Sequence, residues 1–241
     1  MIGSWSFGAL VDERKDRHDA RSCSMTTAHT TLSEPIKTPA CIVTAPSVSF
    51  STLAKVMGPL APEALARLLR AHKYPTGGAM RSYENARKQA IDFLVDGTPL
   101  DPNGALRPHE REVVEAMARV NPKVPEWVRA VRPNPRADVW QIHGVAVSMN
   151  ADVELEGYIA CGAAKFCFTK EPLARGVGST MAALLWYYNA CVLRLPLVRP
   201  GHCVIYEPRL PWVHLPSHKP ERQLEKLELA CSIVSAIWPT I

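Results

Sequence analysis

The spacing of apolar residues changes once along this chain, near residue 139, and that change limits the folds open to it. From there to residue 156 Val139, Ile142, Val145, Val147, Val153 and Leu155 follow a period close to two. A pleated strand sends successive side chains to opposite faces, so the segment reads as one strand or a bent pair of strands. Residues 157–162 make the return, and residues 163–169 read as a second strand. Phe166 and Phe168 fall on one of its faces, Lys165 and Cys167 on the other. The two strands are expected to pair as an antiparallel hairpin.

Before residue 139 the apolar residues recur at three and four, the spacing of helices with one buried face. Residues 62–72 open on a proline and align Leu65, Leu68 and Leu69. Residues 80–95 align Tyr83, Ala86, Ala90, Ile91 and Leu94 and leave Arg81, Arg87 and Lys88 outward, with Asp96-Gly97 as the stop. Residues 109–120 turn Val113, Val114 and Met117 inward and end at Asn121-Pro122. A shorter helix is expected after Ser47, capped by Ser49 or Ser51 and closed by Pro59. Beyond the hairpin, residues 179–193 are apolar nearly all round, as in a covered helix. A short strand at 202–206, a proline-rich excursion and a helix at 220–238 with Leu224, Leu227, Cys231, Val234 and Ile237 inward complete the chain.

The order is helices followed by ββαβα. It predicts an α+β protein in which an N-terminal helical layer packs on a small mixed β-sheet with two C-terminal helices. Residues 1–45, rich in Ser, Thr, Asp and Arg and without periodicity, are expected to form a poorly ordered tail. Residues 46–137 form the helical region and 138–241 the α/β core, the two packing as one domain.

Several classes of protein are disfavoured by composition and motif. The longest apolar stretch, residues 181–193, is interrupted by Asn189 and is too short to span a bilayer. Charged residues at 12–17 occupy the place a signal peptide needs for its apolar region, which predicts a cytoplasmic protein without membrane association. The 7 cysteines contain no Cys-x-x-Cys pair and read as reduced thiols; Cys161, Cys167, His202 and Cys203 lack the paired spacing that holds zinc. No Gly-x-Ser-x-Gly occurs near His143, His202, His214 or His218, so no hydrolase triad is expected. Gly176-Val177-Gly178-Ser179-Thr180 opens a helix but lacks the Gly-Lys-Ser/Thr ending of a phosphate loop, and reads as a plain helix start. Trp186, Tyr187 and Tyr188 would suit stacking on bases or packing in a core, and their apolar helix favours packing.

The formal charge of +5 is modest, so its location matters more than its size. Residues 62–88 hold Arg67, Arg70, Lys73, Arg81, Arg87 and Lys88 against Glu63 and Glu84. Such a cluster suits a phosphate backbone, DNA or RNA, and equally suits a solvated helix face.

The candidate chemistry lies in the hairpin. Asp152 ends one strand and Lys165 stands on the next. A carboxylate that holds a hard divalent cation, beside a lysine that orients water or offsets charge, is the equipment of phosphodiester hydrolysis. The same pair suits an ion pair across a hairpin. With the ββαβα order, Asp152 and Lys165 resemble the core of the PD-(D/E)XK nuclease-like superfamily over residues 138–206. Residues 46–241 are also similar to a group of bacterial proteins of unassigned activity, with a helical first half and an Asp-containing strand followed by a Lys-Φ-x-Φ strand.

The superfamily resemblance implies a restriction-endonuclease-like fold, Mg²⁺ or Mn²⁺ at Asp152, and Lys165 as the catalytic lysine. Ala163 stands where the superfamily has its second acid. Glu84, Glu110 or Glu112 from the preceding helices would replace it, or Glu154, which shares Asp152's strand face. The functional expectation is a divergent metal-dependent nuclease-like protein, active or inactive, acting on or binding nucleic acid. Its catalytic residues would be Asp152, Lys165 and Glu154, and its metal ligands Asp152 and Glu84. A non-enzymatic interaction or scaffold protein with a protein partner is the alternative. Asp152→Ala is expected to abolish cleavage and leave folding nearly intact.

Overall fold

A computed structural model describes residues 44–74, 83–104, 106–122, 128–133, 139–169, 172–210 and 213–241. The expected tail up to residue 43, the helix start at 80–82 with Arg81, and Pro211 lie outside the described residues. The described residues belong to one unit, Pro39–Ile241.

The protein is a mixed α+β structure. Its first elements are β1 (Ser47–Ser49), α1 (Phe50–Val56), α2 (Pro62–Lys73), α3 (Glu84–Asp96) and α4 (Pro108–Val120). They are followed by β2 (Val128–Val131), β3 (Val139–Ile142), β4 (Val145–Ser148), β5 (Val153–Gly157) and β6 (Cys161–Phe166). The chain continues through α5 (Arg175–Tyr187), a π-helical turn (Tyr188–Val192), β7 (Val198–Tyr206), β8 (Val213–His214), α6 (Pro220–Leu224) and α7 (Leu227–Ile237).

The alternating segment is three strands rather than one strand or a bent pair. His143 and Gly144 take φ of 47° and 76°, the left-handed pair that a two-residue hairpin turn requires, so β3 folds back onto β4. β4 then pairs in parallel with β1, and these strands form a small sheet of order β1-β4-β3. The chain leaves that sheet after Ser148, and β5 joins a second sheet of order β2-β5-β6-β7-β8. In the second sheet β2, β5 and β6 are antiparallel neighbours. The α5 crossover then brings β7 alongside β6 in parallel. The expected antiparallel hairpin is present, with Val153 opposite Ala164 and Glu154 opposite Ala163.

The five-stranded sheet separates two apolar clusters, which explains why β6 and β7 carry apolar residues on both faces. Ala163, Cys203 and Ile205 face a cluster with Phe50, Leu53, Met181, Leu184, Leu185, Cys231 and Trp238. Ala164, Phe166, Val204 and Tyr206 face the other, with Ala90, Met117, Val128 and Leu155. α5 packs against β7 on the first side, and α3, in contact with α4 and β2, lies on the second.

Other boundaries moved for local reasons. Ser49 caps α1 by accepting the Thr52 N–H at 3.2 Å, which leaves Ser47 and Val48 free to pair with β4. Gly176 and Gly178 lie inside α5 rather than before it, and Gly178 is there because a Cβ would collide with the His214 ring. The expected final helix is broken between α6 and α7. In α6, Gln223 accepts the Ser217 N–H at 2.9 Å and donates to Ser179 Oγ at 2.9 Å, tying that turn to α5.

Candidate functional site

β5 and β6 place Asp152 and Lys165 together. The Asp152 N–H donates to the Ala164 carbonyl at 2.9 Å, so the ladder runs on past the start of β5 and holds the Asp152 backbone at the end of that strand. Asp152 is 7% exposed. Its Oδ2 accepts the Phe166 N–H at 2.8 Å, and its Oδ1 accepts from Lys165 Nζ at 3.2 Å. Arg87 Nε, from α3, lies 3.5 Å from the same Oδ1.

Aromatic rings support both cations. The Arg87 guanidinium lies 5.7 Å from the centre of the Phe168 ring, and Lys165 Nζ 5.9 Å from that of Phe50. Phe168 is itself held between Phe166 and Tyr83, with ring centres at 5.9 and 5.7 Å. Lys165 remains 18% exposed and Arg87 42%. The carboxylate is enclosed while its two cations still reach solvent.

Glu154 is half-buried, opposite Ala163 on β6 and Val131 on β2. Alternation puts it on the Lys165 face, directly across the strand pair from the position where the motif acid is missing. The helical candidates are disposed differently. Glu84 is exposed in the first turn of α3. Glu110 is 1% exposed, and its oxygens accept the N–H groups of Asn85, Ala86 and Arg107 at 3.0, 3.4 and 3.1 Å. Glu112 is 72% exposed and stands 3.8 Å from Arg209.

The basic residues also separate. Arg67 and Arg70 are exposed on α2 and Lys88 is exposed on α3. Lys73 turns to the C-terminal turn, donating to the carbonyls of Trp238 and Ile241 at 2.7 Å each. Arg87 alone of the described five reaches the Asp152 centre; it is half-buried, not outward as its helical position predicts.

Sequence reasoning missed the groups at the ends of β6 and β7. Glu207, 4% exposed, accepts the Leu173 N–H at 3.1 and 3.3 Å and stands 3.0 Å from His214 Nε2. His214 is 5% exposed and packs on Gly178. A charged residue closing an apolar strand and a glycine inside a helix were the available signals. Beside them, burial above all and the Glu207 charge push the Cys167 thiol up to about 11, against the opposing pull of Lys55, Lys165 and Arg87. The thiol is therefore protonated at neutral pH, the less nucleophilic form.

The remaining sequence candidates are structural. Val177 and Gly178 donate their N–H groups to the Ala174 carbonyl at 2.8 and 3.2 Å, within the first turn of α5. Tyr188 is 4% exposed, and Trp140 stacks on Tyr187 with ring centres 5.5 Å apart, the packing use of this aromatic group. Among the described residues, no group of three or more His, Cys, Asp or Glu side chains is gathered to hold a metal ion. No helix among them is long and apolar enough to cross a membrane. No protein-family model, curated protein or solved structure matches the chain.

Proposed function

We propose that this chain is a divergent nuclease-like protein that acts on or binds nucleic acid, centred on Asp152 and Lys165. The observation that carries this reading is the 3.2 Å contact between Lys165 Nζ and Asp152 Oδ1 at one end of the paired strands β5 and β6. The run of β5, β6, α5 and β7, with β7 parallel to β6, supports a restriction-endonuclease-like core.

The donor set suits a hard divalent cation. Mg²⁺ needs one or two carboxylates and retains several waters. Asp152 and Glu154 supply two acids on the Lys165 face, Glu154 standing opposite Ala163. This assignment favours Glu154 over the exposed Glu84, while Glu110 is committed to backbone N–H groups. Mg²⁺ or Mn²⁺, when bound, would polarise a phosphate oxygen and lower the pKa of a bound water. Lys165 would offset charge on the phosphate, with Arg67, Arg70 and Lys88 drawing the backbone in from exposed helical positions.

The test is thermal melting of wild type and Asp152→Asn with and without millimolar Mg²⁺ or Mn²⁺, followed by cleavage of single- and double-stranded DNA and RNA. Asn is the proper replacement because it keeps an acceptor for the Phe166 N–H. Asp152→Ala strips that acceptor from a buried N–H at a cost of about 1–3 kcal/mol, so its folding would not be left nearly intact. Metal-induced stabilisation of wild type alone supports the metal assignment. Stabilisation of both proteins alike places the metal elsewhere.

A second reading, a non-enzymatic interaction module, draws on the tip of the β5–β6 hairpin. Tyr158 is 99% exposed and Ile159 71% exposed there, and Leu197, 52% exposed, accepts the Cys161 N–H beside it. Exposed apolar groups of this kind mark protein contacts. Absence of both metal response and oligonucleotide binding would favour this reading.

A further inference from the structure

Asp152 meets two cations through a single oxygen. Lys165 Nζ and Arg87 Nε stand 3.2 and 3.5 Å from the same Oδ1. Arg87 Nε is buried and meets no hydrogen-bond acceptor among the described residues, although the carboxylate lies within ion-pair distance. Its donor is thus held beside an oxygen that it does not properly engage. Glu207, the other buried carboxylate among the described residues near this end of the sheet, is occupied by His214 and the Leu173 N–H, and the half-buried Glu154 stands opposite Ala163 on the Lys165 face.

We infer that Arg87 and Lys165 form a seat for one phosphate group of a nucleic-acid backbone, and that Asp152 fills this seat while the phosphate is absent. A carboxylate and a phosphate present the same anionic oxygens to a guanidinium fork and an ammonium. A phosphate brings more oxygens than the single Oδ1 that both cations now share, so it can accept Arg87 Nε–H without releasing Lys165. Phe168 beneath the guanidinium and Phe50 beside the ammonium hold the two cations when Asp152 is displaced. This inference rests on the nucleic-acid reading given above, but it requires neither a metal nor cleavage.

The experiment is fluorescence anisotropy of a labelled single-stranded 12-mer on the full chain, in chelator so that metal binding plays no part. Wild type, Arg87→Gln, Asp152→Asn and the distant surface control Lys226→Gln are compared across a salt series, with inorganic phosphate as competitor. Arg87→Gln is expected to lose about tenfold in affinity and to lower the salt slope by about one, beyond any change in Lys226→Gln. Asp152→Asn, which removes the internal competitor and keeps the Phe166 acceptor, is expected to bind several-fold tighter than wild type. Millimolar phosphate should displace the oligonucleotide from wild type more readily than from Arg87→Gln.

Arg87→Gln binding no worse than Lys226→Gln overturns the seat. Weaker binding by Asp152→Asn at unchanged melting temperature overturns the masking role of Asp152. No binding of the 12-mer by wild type and Asp152→Asn overturns both, and phosphate binding alone would assign the seat to free phosphate instead of a backbone. A negative metal-melting result beside positive anisotropy would remove the metal assignment and leave the phosphate seat standing.

Discussion

Two carboxylates face the start of α3, and their partners are of different kinds. Glu110 is 1% exposed and bonds three backbone N–H groups, two of them from Asn85 and Ala86 at that helix start. Asp152, 7% exposed, bonds one backbone N–H and faces two side-chain cations, one of them Arg87 from the next position of α3. Backbone donors cannot leave without unwinding the helix that carries them. Lysine and arginine side chains can turn away at small cost. Burial of a charged group therefore marks a candidate site only where its partners can be exchanged, and by that criterion Asp152 is a candidate and Glu110 is part of the framework.

Removing the locked carboxylate should have the largest effect. Glu110→Ala leaves three N–H groups without their acceptor and is expected to cost about 3 kcal/mol, read as a lower urea midpoint at unchanged slope. A midpoint equal to wild type would erase the distinction between the two carboxylates. Next comes Gly178→Ala, which forces the His214 ring away from α5 and so disturbs its contact with Glu207. A loss of about 2 kcal/mol is expected, as for other overpacked sites; a neutral result would mean that this edge repacks freely.

Acid should test the locked carboxylate directly. Burial raises the Glu110 pKa, but its hydrogen bonds from Arg107, Ala86 and Asn85, with the Arg107 charge, outweigh it and leave the pKa below the ordinary value. The folded pKa lies below the unfolded one, so the contribution to stability is complete above the unfolded value of about 4.3 and is lost as pH falls through the folded value. Unfolding measured between pH 6 and 3 should show that loss in wild type and a flatter profile in Glu110→Gln. The smallest change in stability is expected from Arg87→Gln, under about 1 kcal/mol, because Arg87 is 42% exposed, makes no hydrogen bond to Asp152, and leaves that carboxylate with Lys165 and the Phe166 N–H. A larger loss would move Arg87 into the framework beside Glu110.

Much of the fold was legible because its signals are local. The buried faces Val113, Val114 and Met117 in α4 and Ala86 and Ala90 in α3 follow from helical spacing. So does the Asp152–Lys165 meeting, since an antiparallel hairpin aligns residues from neighbouring stretches of chain. The division of residues 139–157 between two sheets was not legible, because alternation is the same whichever sheet a strand joins.

The sequence by itself determined the α+β character, the hairpin and the face shared by Asp152, Glu154 and Lys165, all consequences of the periods of helix and strand. Only the tertiary structure decided that Arg87 turns to Asp152 while Lys73 turns to the C-terminal turn, that Glu110 is consumed by helix starts, and that Glu207 meets His214. Those choices depend on how distant elements dock. Docking is set by the fit of whole apolar faces, a property summed over many residues that no single motif carries.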